Sequence, residues 1–79
     1  MLFVTTKSGT VYEVDKNKTR IRQVHRVAPG GSRRLATGSW LNYEDLFLEI
    51  GSRMVVSADG DHMNTSIVTD ILDSTAEGN

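Results

Sequence analysis

Apolar and β-branched residues in this chain come in short runs, each broken by Gly, Asp, Asn or Ser, which is the pattern of strands joined by turns. Leu2 to Thr6 reads as a strand, Lys7-Ser8-Gly9 as a turn, and Thr10 to Val14 as the partner that completes a hairpin. Asp15-Lys16-Asn17-Lys18 is a second turn, since Asp and Asn bond their own backbone and tolerate unusual dihedrals. Thr19 to Val27 follows as a strand with Arg20, Arg22 and Arg26 on one face and Ile21, Gln23 and His25 on the other. Ala28-Pro29-Gly30-Gly31-Ser32 marks a loop within Val27 to Arg34, expected to be the most mobile internal segment. Leu35 to Trp40 reads as a further short strand, and Met54 to Ala58 and Ser66 to Leu72 as strands dense in Val and Ile. Ser57 to Asp61 joins the last two.

The stretch 42–50 supports two readings. Asn42 as N-cap, Glu44 and Asp45 in a first turn, and Gly51 as a stop frame a short helix whose stripe is Tyr43, Leu46, Phe47 and Ile50. Leu46, Leu48 and Ile50 also alternate, which suits a strand turning through Gly51-Ser52-Arg53. The expected fold class is therefore all-β: a small antiparallel barrel or sandwich-like sheet of about five strands, with one short helix at 42–50 as an option. An α+β arrangement, with that helix packed on an open sheet, is the alternative. The anticipated core is Val4, Val14, Ile21, Trp40, Leu48, Ile50, Val55, Ile67, Val68 and Ile71. Tyr12 is the aromatic expected at a surface, because Thr10 and Val14 do not force its burial.

The chain has 79 residues, room for one domain, set at 1–73 with a small polar tail at 74–79 expected to be disordered. A domain of this size has a thin core, and with no cysteine it has no disulfide to reinforce it. Two histidines without thiolates fall short of the usual zinc set. Good packing or self-association has to compensate, and a homodimer is the simplest closed form. Thr5, Thr6 and Lys7 end the apolar start far short of a signal-peptide core, and no stretch approaches a membrane span, so a cytoplasmic protein with no membrane partner is expected.

The net charge of −1 hides a strong asymmetry. Lys16, Lys18, Arg20, Arg22, Arg26, Arg33 and Arg34 lie between positions 16 and 34 with no acidic residue among them. From Leu41 onward, Glu44, Asp45, Glu49, Asp59, Asp61, Asp70, Asp73 and Glu77 face Arg53 alone. Arg20, Arg22, Arg26, Arg33 and Arg34 are the candidate binding residues, able to follow a phosphate backbone as a stripe on a small barrel. The competing reading pairs these arginines with the acidic half, Glu44, Asp45, Glu49 or the Asp70 and Asp73 strand, across neighbouring strands. A dedicated nucleic-acid binder usually carries a basic overall balance, and this chain does not.

Other chemistry is sparse. Asp59, Asp61 and Asp70 fall at calcium-loop positions, but Met63 and Asn64 stand where that loop needs an oxygen ligand and a glycine, so no metal is expected. Ala28 to Arg34 sets glycines beside arginines without the Lys-Ser/Thr ending of a phosphate-binding loop, and no serine sits in Gly-x-Ser-x-Gly. No catalytic residue and no cofactor is assigned, and the chain is read as not an enzyme.

Thr6-Lys7-Ser8-Gly9-Thr10-Val11-Tyr12-Glu13-Val14, Gly38-Ser39-Trp40, Glu49-Ile50-Gly51, and Thr65-Ser66 followed by Val68 and Ile71 together resemble small uncharacterised proteins encoded by actinobacterial bacteriophages. The resemblance implies a phage-encoded accessory protein acting in the host cytoplasm and transfers no site residues. The expected function is a non-enzymatic binding module that engages a host protein through a sheet edge or the Val27 to Arg34 loop. A nucleic-acid-binding small barrel is the alternative, and a structural or virion-associated role is third.

Overall fold

A computed structural model describes residues 1–25 and 38–74. Among these the chain is all-β, built from β1 (Leu2–Thr6), β2 (Val11–Asp15), β3 (Arg20–His25), β4 (Leu41–Asn42), β5 (Asp45–Phe47), β6 (Arg53–Ala58) and β7 (Asp61–Asp73). The strands form one antiparallel sheet in the order β4-β3-β2-β1-β7-β6-β5, curled into a half-barrel. Five strands are substantial and two are short, so the expected small antiparallel sheet is the one found.

Local chemistry accounts for the hairpins. Thr6 and Thr10 close the first turn through backbone bonds from Thr6 N–H to the Thr10 carbonyl at 3.0 Å and from Gly9 N–H to the Thr6 carbonyl at 2.8 Å. In the second, the Asp15 carboxylate accepts the Lys18 N–H at 3.3 Å and fixes the four-residue turn. Between β6 and β7 the two turn residues, Asp59 (φ 53°) and Gly60 (φ 80°), both occupy the left-handed region, which Asp and Gly tolerate best and which matches the twist of a tight hairpin.

β7 holds the sheet together. Straight, its 13 residues would span about 40 Å, longer than the 35 Å of the whole molecule, so the strand has to bend. It does so at two register shifts, one opposite Arg53 to Val55 and one opposite Thr5 to Thr6. Each inserts one residue and flips the alternation, so that Met63 and Thr65, then Val68, then Ile71 turn toward the core in succession. The strand thereby pairs with β6 along its first half and with β1 along its second.

The expected helix at 42–50 is not formed. β4 and β5 occupy opposite ends of the strand order, yet only Tyr43 and Glu44 separate them in sequence. Tyr43 N–H donates to the Thr19 carbonyl at 2.8 Å on one side and Glu44 N–H to the Ser57 carbonyl at 2.7 Å on the other. Consecutive amides thus bridge the two edges of the sheet, an arrangement a helix could not make. Both edges are short, which limits unwanted pairing with other chains.

The core is Val4, Tyr12, Val14, Ile21, Met54, Val56, Ala58, Met63 and Val68, with Leu41, Tyr43, Leu46, Leu48 and Ile71 packed partly against it. Val4, Val14, Ile21 and Val68 are buried as anticipated. Trp40, Leu48, Val55 and Ile71 are only part-buried, and Ile50 and Ile67 are exposed. Tyr12 is 4% exposed, against the surface place expected for it, because it lies between Val4 and Gln23 on the inward face. Thr10, two residues before it, and Thr6 across the hairpin are buried too: the exposed Ser8 hydroxyl bonds those of Thr6 and Thr10 at 3.1 and 3.3 Å, so the two threonines enter the interior satisfied.

The mobile loop expected at Val27 to Arg34, and the strand expected from Leu35, fall on positions 26–37 outside the described residues; Gly38 to Trp40 is not strand. Positions 75–79 of the expected tail also lie outside them, whereas Ser74 is anchored by its N–H and hydroxyl to the Met1 carbonyl at 2.9 and 3.1 Å. No helix among the described residues is long and apolar enough to cross a membrane.

Candidate interaction face

Of the five candidate binding arginines, Arg20 and Arg22 are described, and Arg26, Arg33 and Arg34 lie outside the described residues. Arg20 and Arg22 stand on the outer face of β3, because Ile21 between them is fully buried. They are two residues apart on one strand, a rise of about 6.7 Å that leaves room for an aromatic ring between neighbouring guanidinium planes. Trp40, just before β4, meets both: its ring centroid is 4.1 Å from the Arg20 guanidinium carbon and 4.4 Å from that of Arg22. Each such contact is worth about 0.5–2 kcal/mol, depending on how far water is excluded.

Both arginines are also ion-paired, but not to the acidic half of the chain. Arg20 Nε donates to Asp15 Oδ2 at 3.1 Å, and Arg22 Nε donates to Glu13 Oε1 at 2.7 Å. These are cross-strand neighbours in the β2–β3 hairpin, where Asp15 stands opposite Arg20 and Glu13 opposite Arg22. The carboxylates lie just upstream of the basic stretch and are equidistant with their arginines from the turn at Lys16 to Thr19. Each pair is made through Nε, and the Arg22 side chain remains 38% exposed.

The same row continues across the sheet. Arg22 is in register with Glu13, Glu13 with Phe3, and Phe3 with Leu72. Leu72 is 60% exposed. Trp40, Arg22, Glu13, Phe3 and Leu72 therefore form a band over the outer surface of β3, β2, β1 and β7, with stacked cations at one end and an open aliphatic group at the other. Burial disfavours the charged form of Asp15, but the Lys18 N–H, the Arg20 hydrogen bond and the Arg20 charge outweigh it and hold the carboxyl below its usual range. Burial, followed by the charge of Asp15, raises the Tyr43 hydroxyl.

The Asp15 shift has a testable sign. A carboxyl depressed in the folded state adds stability above its unfolded pKa near 3.9, and that stability disappears as pH falls through the lower folded value. Denaturant midpoints measured from pH 6 down to pH 2 are expected to fall for the native chain and to fall less for Asp15→Asn. Equal slopes for the two proteins would show that Asp15 does not drive the acid sensitivity.

A second polar pair was not anticipated from sequence. Ser57 Oγ lies 2.7 Å from His62 Nδ1 on the outer face of β6 and β7, with Asp45 in register beyond Ser57. The pair brings a hydroxyl to an imidazole, but the carboxylate stands beside the serine rather than behind the histidine, so it does not orient the ring as in a nucleophilic triad. Neither of two cavities contains it: one of about 190 Å³ is lined by Leu2, Val14, Asp15 and Asp73, and one of about 330 Å³ by Tyr43, Glu44, Asp45 and Leu48. No group of three or more potential metal-ligating side chains occurs among the described residues. Comparison of the chain with protein-family models, with curated proteins and with solved structures finds no match, so the reading of this face rests on its own chemistry.

Proposed function

We propose that this chain is a non-enzymatic binding module that engages a partner protein through the band running from Trp40 to Leu72. The observation that carries the reading is the stack of Arg20 and Arg22 on Trp40, continued in register to Phe3 and Leu72. Tryptophan and arginine are the side chains most enriched among residues that dominate protein interfaces. Here the two arginines are held in place by Asp15 and Glu13, so less side-chain freedom remains to be lost on binding. The same two carboxylates cancel the charge of Arg20 and Arg22, which favours a mixed apolar and carboxylate-bearing surface over a polyphosphate. Following the phage resemblance, the partner is a host protein and the compartment the host cytoplasm.

The test is capture from an actinobacterial lysate with the full chain, with and without nuclease, alongside Arg22→Gln and Leu72→Ser. A discrete protein retained after nuclease and lost from both variants, with their cooperative unfolding intact, is the expected result. Retention by both variants would remove this face from the interaction. A submicromolar oligonucleotide complex that weakens steeply with salt and is lost on replacing Arg20 and Arg22 would instead establish the nucleic-acid alternative.

A further inference from the structure

A second face, on the other half of the sheet, has a different character. The inward residues of β6 are Met54, Val56 and Ala58, so Arg53, Val55 and Ser57 face outward. Register then places Asp45 and Phe47 of β5, and His62, Asn64 and Ile67 of β7, on that same outer surface. Phe47, directly opposite Val55, is 51% exposed, and Ile67, opposite Arg53, is 39% exposed. Ile50, 57% exposed, stands beside them in the turn whose Gly51 N–H donates to the Val68 carbonyl at 2.8 Å. Phe47 and Ile67 thus share one sheet face, with Ile50 exposed in the adjoining turn, and apolar exposure of this kind on a protein with a small core marks an interaction site.

The charges around this patch are graded along the strands. At the β6–β7 hairpin end lie Glu44, Asp45, Asp59 and Asp61. At the opposite end lie Arg53 and Lys7, whose N–H donates to the Ile67 carbonyl at 2.8 Å, with Glu49 the acidic residue of the adjoining turn. Asp45 stands opposite Ser57, four residues from Arg53 along β6, a separation of about 13 Å. A two-fold axis lying in the interface, parallel to the sheet and across its strands just above Phe47 and Val55, turns the second copy face to face and carries each end onto the other. It would stack the apolar row on its own copy, set Asp45 of each chain against Arg53 of the other, and leave both charges at the rim.

We propose that this surface is the interface of a homodimer, in which a second copy of the chain covers Phe47, Val55, Ile67 and Ile50. The occupant is a second copy because the charge pattern is complementary to itself under two-fold rotation, as an isologous interface requires. This inference is independent of the Trp40 band, which lies on the outer surface of β3, β2 and β1 and reaches β7 at Leu72, five residues beyond Ile67.

Sedimentation of the full chain over micromolar to submillimolar concentrations is expected to show a species of twice the 8.7 kDa chain mass. Phe47→Glu and Ile67→Glu should each weaken the dimer by about tenfold or more while leaving the circular dichroism and the unfolding cooperativity unchanged. Asp45→Arg alone should weaken it, and so should Arg53→Asp alone, whereas the double variant Asp45→Arg/Arg53→Asp should recover the native association. A native protein that stays monomeric throughout, a dimer indifferent to both glutamate variants, or a double charge swap no tighter than its parents would each overturn the proposal.

Discussion

Met54→Ala is expected to cost about 2–5 kcal/mol, enough to unfold a large fraction of a domain this small. Met54 is fully buried on the inward face of β6, packed in one cluster with Val4, Tyr12, Ile21 and Val68. Truncation there leaves a cavity at the centre of a curled sheet whose strands are cross-paired on both sides, so the walls have little freedom to close over it. Trp40→Ala gives the contrast. Although Trp40 is larger, it is part-buried and lies over arginines rather than in the core, so its loss should cost no more than about 1–2 kcal/mol, mainly the stacking on Arg20 and Arg22. Urea denaturation of the two variants measures the order directly. A Trp40→Ala protein less stable than Met54→Ala would show that the ring supports the core after all.

The second large effect is expected at Thr65, where β7 departs from regular pairing with β6. At that bulge the Met54 N–H is bonded by a side chain: it donates to the Thr65 hydroxyl at 3.2 Å, and the hydroxyl in turn donates to the Ser66 carbonyl at 2.7 Å. Thr65 is buried, so water cannot replace it. Thr65→Val keeps the shape and removes the oxygen, leaving a buried amide without an acceptor at a cost of about 1–3 kcal/mol. Thr65→Ser should retain most of the stability, because the hydroxyl remains. Hydrogen exchange at the Met54 amide adds a local readout, since it should accelerate in the valine variant beyond what the global loss explains. Equal stability of the valine and serine variants would mean that the hydroxyl is dispensable.

The parts of the fold legible in sequence are those governed by near neighbours. β1 spans the positions its alternation indicates, and β2, β3 and β6 each begin within one residue of the expected position, since Gly, Asp and Asn mark their turns. The first half of β7 was not legible. Asp61 to Thr65 is mostly polar, and the two bulges that bend the strand break the alternation on which a strand assignment depends. Tyr12 was misplaced for a related reason: its alternation partner Thr10 looks exposed by residue type, yet its hydroxyl finds a partner at the hairpin and goes inside, as Val14 does on the other side. In the candidate site, Arg20 and Arg22 were singled out by charge, but Trp40 was assigned to the core. The carboxylates that pair with the arginines were sought in the acidic half, although mirror spacing about the Lys16 to Thr19 turn pointed to Glu13 and Asp15.

Sequence alone determined that the chain is strand-rich, cysteine-free and charge-asymmetric, with turns at Lys7 to Gly9, Asp15 to Lys18 and within Ser57 to Asp61, because turn chemistry and two-residue periodicity act over a few positions. Tertiary structure decided what those local rules leave open. The stretch 42–50 fits a helix or a strand about equally by pattern, and pairing to β3 on one side and β6 on the other resolves it, since only an extended backbone can offer Tyr43 and Glu44 N–H groups to both edges of the sheet. Which outward residues share a face is likewise a matter of register. The band from Trp40 to Leu72 and the patch around Phe47 each collect residues far apart in the chain, and only strand order brings them together.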